Sequence, residues 1–170
     1  DFDKEKLQER MGKLAGGVAI IRVGAPTESA QKELKQRVED AVAATKAAME
    51  EGIVPGGGIA LFNIICEITP QKIERGSIEA AIYSILIRAL QAPLLAIIQN
   101  SGKEPNDIIE KLKVNWREKN SWRGFNAITN EIKNLKEAGI IDPLKVVKIA
   151  FINAVSVASN YLTIGAAMTN

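Results

Sequence analysis

The 170-residue sequence has no histidine and a single cysteine, Cys66. These two shortages exclude a disulfide framework, a Cys/His zinc site, and both the Ser-His-Asp and Cys-His nucleophile systems. Any catalysis must rest on carboxylates, lysines or hydroxyls. Cys66 ends the run Phe62-Asn63-Ile64-Ile65-Cys66 and reads as a small core residue. One reduced thiol suits a cytosol or an organelle matrix. Blocks of like charge are also missing: 22 basic and 20 acidic residues interleave to a net +2. That leaves no electrostatic footprint for nucleic acid or an anionic membrane, and the two tryptophans lie outside any charged groove. No segment approaches the about 18 uninterrupted apolar residues of a membrane helix. With 46% hydrophobic residues, a soluble chain without membrane or nucleic-acid partners is expected. The sequence opens at Asp1 with neither an initiator methionine nor an apolar leader, and is expected to be a piece of a longer protein.

What the sequence does have is a concentrated glycine stretch. Ala47 to Gly58 reads Ala-Ala-Met-Glu-Glu-Gly-Ile-Val-Pro-Gly-Gly-Gly, joining a long charged helix pattern to mostly apolar helices. Ile59-Ala60-Leu61-Phe62 then begins a further helix. Consecutive glycines leave backbone N–H groups uncovered, and a helix N-terminus adds free donors and the positive end of a dipole. An anion such as phosphate can be held there; a helix stop at Gly52 followed by a flexible turn explains the same residues.

The remaining elements follow from periodicity. Asp3 to Leu14 carries Leu7, Met11 and Leu14 on one stripe, with Asp3 as the expected N-cap and Gly16-Gly17 as the stop. The β-branched run Val18 to Val23 reads as the clearest strand, with a partner expected elsewhere. Thr27 to Glu51 is a long helix with Leu34, Val38, Val42 and Met49 on one side. Asp40 lies in its later half, either as a solvated charge one turn from Arg37 or as a functional carboxylate. Ile78, Ile82, Ile85, Leu86 and Leu90 mark a largely buried helix that Pro93 ends or kinks, with a further segment from Leu94 to Gln99. Asn106 to Val114 is a shorter helix, and Asn115 to Arg123 a loop or hairpin tip. Phe125 to Thr129 reads as a short strand and Ile132 to Ala138 as a helical turn or two. Asp142-Pro143 opens the last helix, with Asp142 as N-cap and Pro143 at its first position; Val147, Phe151 and Tyr161 lie on its stripe. Thr163 to Thr169 is expected to close as an edge strand.

Taken together, these stretches resemble the group I chaperonins, the bacterial and organellar large-subunit family. The resemblance runs the whole length of the chain. It is carried by Lys6 to Arg10, Lys13 to Ala19, Val23-Gly24-Ala25, Arg37 to Ala41, Ala47 to Gly58, Arg88 to Leu94, Asn126-Ala127 and Gly139 to Pro143. It implies a mainly α fold with a few short β-strands: the C-terminal half of a chaperonin equatorial domain plus part of the intermediate domain. Residues 1–18 resemble the end of the apical domain, 19–50 the returning part of the intermediate domain, and 51–170 the C-terminal half of the equatorial ATPase domain.

By resemblance, Asp40 matches the catalytic aspartate that positions the water attacking the γ-phosphate. Gly57 matches a nucleotide contact, Asn126 and Ala127 the adenine side, and Asp142 a ribose contact. No residue of this chain is matched to a metal. The implied cofactors of the parent are ATP with Mg2+ and K+, none being expected on the isolated piece. The implied partners are further copies in a ring, a co-chaperonin and unfolded polypeptides. The family's Gly-Asp-Gly-Thr-Thr phosphate loop does not occur here, so this piece alone is expected to be inactive. The implied location is the cytoplasm in bacteria, or the mitochondrial matrix or plastid stroma in eukaryotes. The chain departs from the family pattern over Trp116 to Phe125 and at Ile164-Gly165, where a Thr-Glu pair is common. The rival reading is a non-enzymatic helical module that binds or assembles on the same scaffold.

Overall fold

The computed structural model describes residues 2–15, 19–68, 76–117 and 120–165. The fold is mainly α with a few short strands, as the sequence implies. Its contacts divide it into two compact units, Asp1–Val42 and Ala43–Asn170.

The first unit contains helix α1 (Phe2–Ala15) and the start of α2 (Glu28–Glu51). Helix α1 already includes Phe2, so Asp3 sits inside its first turn and does not cap it; the expected Gly16-Gly17 stop lies outside the described residues. Leu7, Met11 and Leu14 are all exposed. The run expected to be the clearest strand is not one: residues 19–25 carry no strand, and Val18 lies outside the described residues. A strand exists through its ladder, and no described segment pairs with this one. Helix α2 starts where Thr27 Oγ1 accepts from the Ala30 N–H at 3.3 Å. Gln31 Nε2 donates to the Val23 carbonyl at 3.1 Å, tying the preceding segment to the helix. Pairs one turn apart, Lys32 with Glu28 at 2.7 Å and Lys35 with Glu39 at 3.4 Å, run along its exposed surface. No residue of α2 is buried.

The second unit is held by one core. Strand β1 (Ile53–Pro55) pairs antiparallel with β4 (Ile141–Pro143), and β2 (Arg123–Asn126) with β3 (Glu131–Asn134). Between them run α3 (Ile59–Ile68), α4 (Ile78–Asn100) and α5 (Pro105–Arg117). Helix α3 contributes Ile59, Phe62 and Ile65, and α4 contributes Leu90, Leu94 and Ile98. These positions repeat at helical spacing and meet Ile108, Ile109 and Leu112 of α5, with Phe125 and Leu135 from the hairpin. Cys66 is half-buried and packs against this cluster, as expected of a small apolar residue.

Several expectations are corrected. Pro93 does not end α4, which is continuous from Ile78 to Asn100. Leu90 and Leu94 are buried on either side of it, so packing carries the helix across the hydrogen bond that proline removes. The N-terminal half of α4 is not buried: Ile78, Ile82 and Ile85 are exposed, because no described element covers them. The expected loop at Asn115 begins instead as the last turn of α5. The short strand expected from Phe125 ends at Asn126, and a turn follows over 127–130. Ile132 to Ala138 is not helical: its first part is β3, because the polar turn before it folds the chain back onto β2. Asp142 is not the N-cap of the last helix, α6 (Leu144–Thr163). It is the middle residue of β4, opposite Val54, and Pro143 takes the cap position. The edge strand expected from Thr163 is also absent: Thr163 ends α6, residues 164–165 form no strand, and 166–170 lie outside the described residues. No residue of α6 is buried. Helices α4 and α6 have the length and mean hydropathy to cross a membrane, although each carries charged residues, Glu79 and Arg88 in one and Lys145 and Lys148 in the other.

Candidate functional site

The glycine stretch is a built corner, not a free hinge. Gly52, at φ 87°, ends α2 in the left-handed region, and its carbonyl accepts from the Leu144 N–H at 3.1 Å. Lys145 pairs with Glu50, and Lys148 Nζ lies 2.5 Å from Glu51 Oε2, so two ion pairs clamp the end of α2 to the start of α6. The Glu50 carboxylate, by hydrogen bond and by charge, raises Lys145 above the ordinary lysine value of 10.5.

After β1 the chain turns through Gly56, Gly57 and Gly58 into α3. Pro55 and Gly56 are buried. The Gly56 N–H donates to the Ile140 carbonyl at 3.1 Å, the Ile140 N–H to Leu135 at 2.9 Å, and the Leu135 N–H to Trp122 at 2.9 Å. This relay ties the loop to the base of the β2–β3 hairpin. Gly57 and Gly58 have φ of 64° and 79°. A Cβ on Gly58 would stand 2.8 Å from the Leu94 backbone nitrogen, so glycine is required there twice over. The Gly56 carbonyl accepts from Ile59 at 3.2 Å and the Gly58 carbonyl from Phe62 at 3.1 Å, fixing the first turn of α3. Among the described residues the N–H groups of Gly57 and Gly58 make no hydrogen bond. They remain available to an anion.

The hairpin closes the other side. Asn126 ends β2 with only 7% of its surface exposed, and its Oδ1 accepts from the Ile128 N–H at 2.9 Å and the Thr129 N–H at 3.3 Å. Ala127 packs against the core. Gly57 lies against the Phe125 carbonyl, at 3.9 Å from an ideal Cβ. Asp142 is half-buried in β4, two residues past the Ile140 carbonyl that holds Gly56. Gly57, Asn126, Ala127 and Asp142 are therefore held by one connected set of backbone contacts in the second unit. Asp40 belongs to the first unit, where it is exposed. Arg37 bonds Glu33 at 2.5 Å, and Asp40 has no ion pair among the described residues.

The sequence reading missed Gly124 and Asn63. Gly124 is buried in β2, and a glycine inside a strand is itself the sign of close approach. Asn63 Nδ2 donates to the Ser121 carbonyl at 2.8 Å, anchoring the divergent tryptophan segment to α3, and Lys136 lies 5.7 Å from the centre of the Trp122 ring. Nothing in the helical pattern of 59–68 singles Asn63 out.

The chain belongs to the TCP-1/cpn60 chaperonin family, which it matches over residues 5–169. Among solved structures it is similar to the open-state monomer of a group II chaperonin from Methanococcoides burtonii, with 25% identity and a TM-score of 0.66. The match covers 81% of this chain and 35% of that one, so the chain spans about a third of the length of that relative.

Proposed function

We infer that the parent protein is an ATP-driven folding chaperonin of the group I type, a ring-forming homo-oligomer acting on unfolded polypeptides with a co-chaperonin. The observation that carries the reading is the corner itself. Two left-handed glycines, whose N–H groups make no hydrogen bond among the described residues, lie beside the β2–β3 hairpin, and Asp142 is half-buried in β4. Family membership supports the chaperonin reading, and the co-linear segments from Lys6 to Pro143 support the group I subdivision. On this reading residues 1–18 end the apical domain, 19–50 belong to the intermediate domain, and 51–170 form half of the equatorial domain. The compartment is the bacterial cytoplasm or, in a eukaryote, the mitochondrial matrix or plastid stroma.

In that role the Gly57 loop takes the phosphate side of ATP, Asn126 and Ala127 the adenine side, and Asp142 the ribose hydroxyls. ATP with Mg2+ and K+ supplies the transferable phosphoryl group and its charge neutralisation. Asp40, an exposed carboxylate without an ion pair among the described residues, suits the task of holding a water for in-line attack. Asp40→Ala in the full-length protein is expected to lower ATP turnover about 10²-fold or more while leaving nucleotide binding in place. Unchanged turnover would sink the assignment. This chain by itself is expected to show no ATPase activity.

The bare apolar faces of α4 and α6 favour one rival, a helical module that only assembles. Titration of ATP into the full-length protein separates the two, because the assembly module binds none.

A further inference from the structure

Two consecutive residues key the hairpin to the glycine loop. Gly124 is buried, and its backbone is outside the left-handed region, so conformation does not explain the glycine. Space does. A Cβ there would stand 2.4 Å from Leu135 Cδ1 and 2.6 Å from Ile59 Cγ1, well inside carbon contact distance. Ile59 is wholly buried and directly follows the glycine triplet. Phe125 comes next, with its carbonyl against Gly57. Asn126 follows and shapes the hairpin's own turn: its side-chain oxygen accepts from the Ile128 and Thr129 N–H groups, and Asn130 has φ 56°.

We propose that Gly124 is a positioning residue that sets the spacing between the two sides of the corner, the glycine loop and the turn at 127–130. The proposal rests on the nucleotide reading above and deepens it. A ligand that grips both sides depends on their spacing, whereas one that meets only the glycine loop does not.

The test compares ATP with inorganic tripolyphosphate, which has no base or sugar, as ligands of the full-length protein. Gly124→Ala is expected to weaken ATP binding about tenfold relative to tripolyphosphate. Adding Leu135→Ala, which removes the atoms nearest that Cβ, is expected to bring the ratio part of the way back. The proposal is overturned if Gly124→Ala leaves that ratio unchanged, whether both ligands weaken together or neither does. It is also overturned if the double variant's ratio stays at the Gly124→Ala value. Wild-type protein that binds tripolyphosphate but not ATP overturns it as well. Wild-type protein that binds neither ligand refutes the nucleotide reading itself, and the positioning role with it.

Discussion

The corner around Gly56 to Phe62 and two outward surfaces, the N-terminal half of α4 and helix α6, are all rich in apolar residues, yet the chain treats them oppositely. In the corner Ile59, Phe62, Phe125 and Leu135 are almost fully buried, and the backbone relay from Trp122 to Gly56 is complete. On α4 and α6, Ile78, Ile82, Ile85, Val155 and Val157 are at least half exposed. A periodic apolar stripe says that a helix has something to cover; it does not say that the cover lies in the same segment of chain. The corner is self-sufficient because its partners lie within the described residues.

The contrast can be broken most forcefully in the core. Phe62→Ala should cost about 3–5 kcal/mol, measured by urea unfolding of either this chain or the full-length protein. Ile82→Ala should stay within about 0.5 kcal/mol in this chain. If the rest of the parent covers α4, the same change should cost about 2–5 kcal/mol in the full-length protein. Equal costs in the two settings would show that the exposed stripe is never covered.

A smaller effect sharpens the picture of the loop. Gly58 and Gly102 both have positive φ, at 79° and 74°, but only Gly58 lacks room for a Cβ. Gly102→Ala should cost about 1–2 kcal/mol from conformation alone. Gly58→Ala should cost clearly more, since the Leu94 backbone must also shift. Matched losses would mean that the loop is softer than its contacts suggest.

The smallest effect concerns the clamp between α2 and α6. Lys145 is raised by Glu50, so the pair contributes its full stability below the unfolded lysine value of 10.5 and loses it as pH climbs through the higher folded value. Thermal melts should show wild type and Lys145→Gln differing by a small, constant amount from pH 7 to 9, then converging in more alkaline solution. A difference that grows with pH would contradict the assignment.

Much of this was legible in the sequence, for identifiable reasons. Helices α2, α3 and α5 follow from periodicity, because their side-chain spacing already specifies one face. The Thr27 start also agrees with the polar cap seen there. The errors arise where tertiary pairing overrides local preference. Val18 to Val23 has β-branched residues but no described partner, while the mostly polar stretch Glu131 to Asn134 becomes β3 because β2 lies opposite it. Asp142-Pro143 looks like a helix start, yet its backbone is taken by β1. In the site, the glycine triplet stood out by residue type, and Asn126 only through the family resemblance. Gly124 did not, because its reason is a contact with Ile59 and Leu135, both distant in sequence.

Hydrogen exchange on the full-length protein with and without a non-hydrolysable ATP analogue tests the central claim most directly, since it reads the amides of the corner one stretch at a time. The account predicts slowed exchange at Gly57, Gly58 and Ala127, with Gly102, a glycine of similar backbone outside the corner, unchanged. Saturating analogue that leaves Gly57 and Gly58 exchanging at their free rate would contradict it.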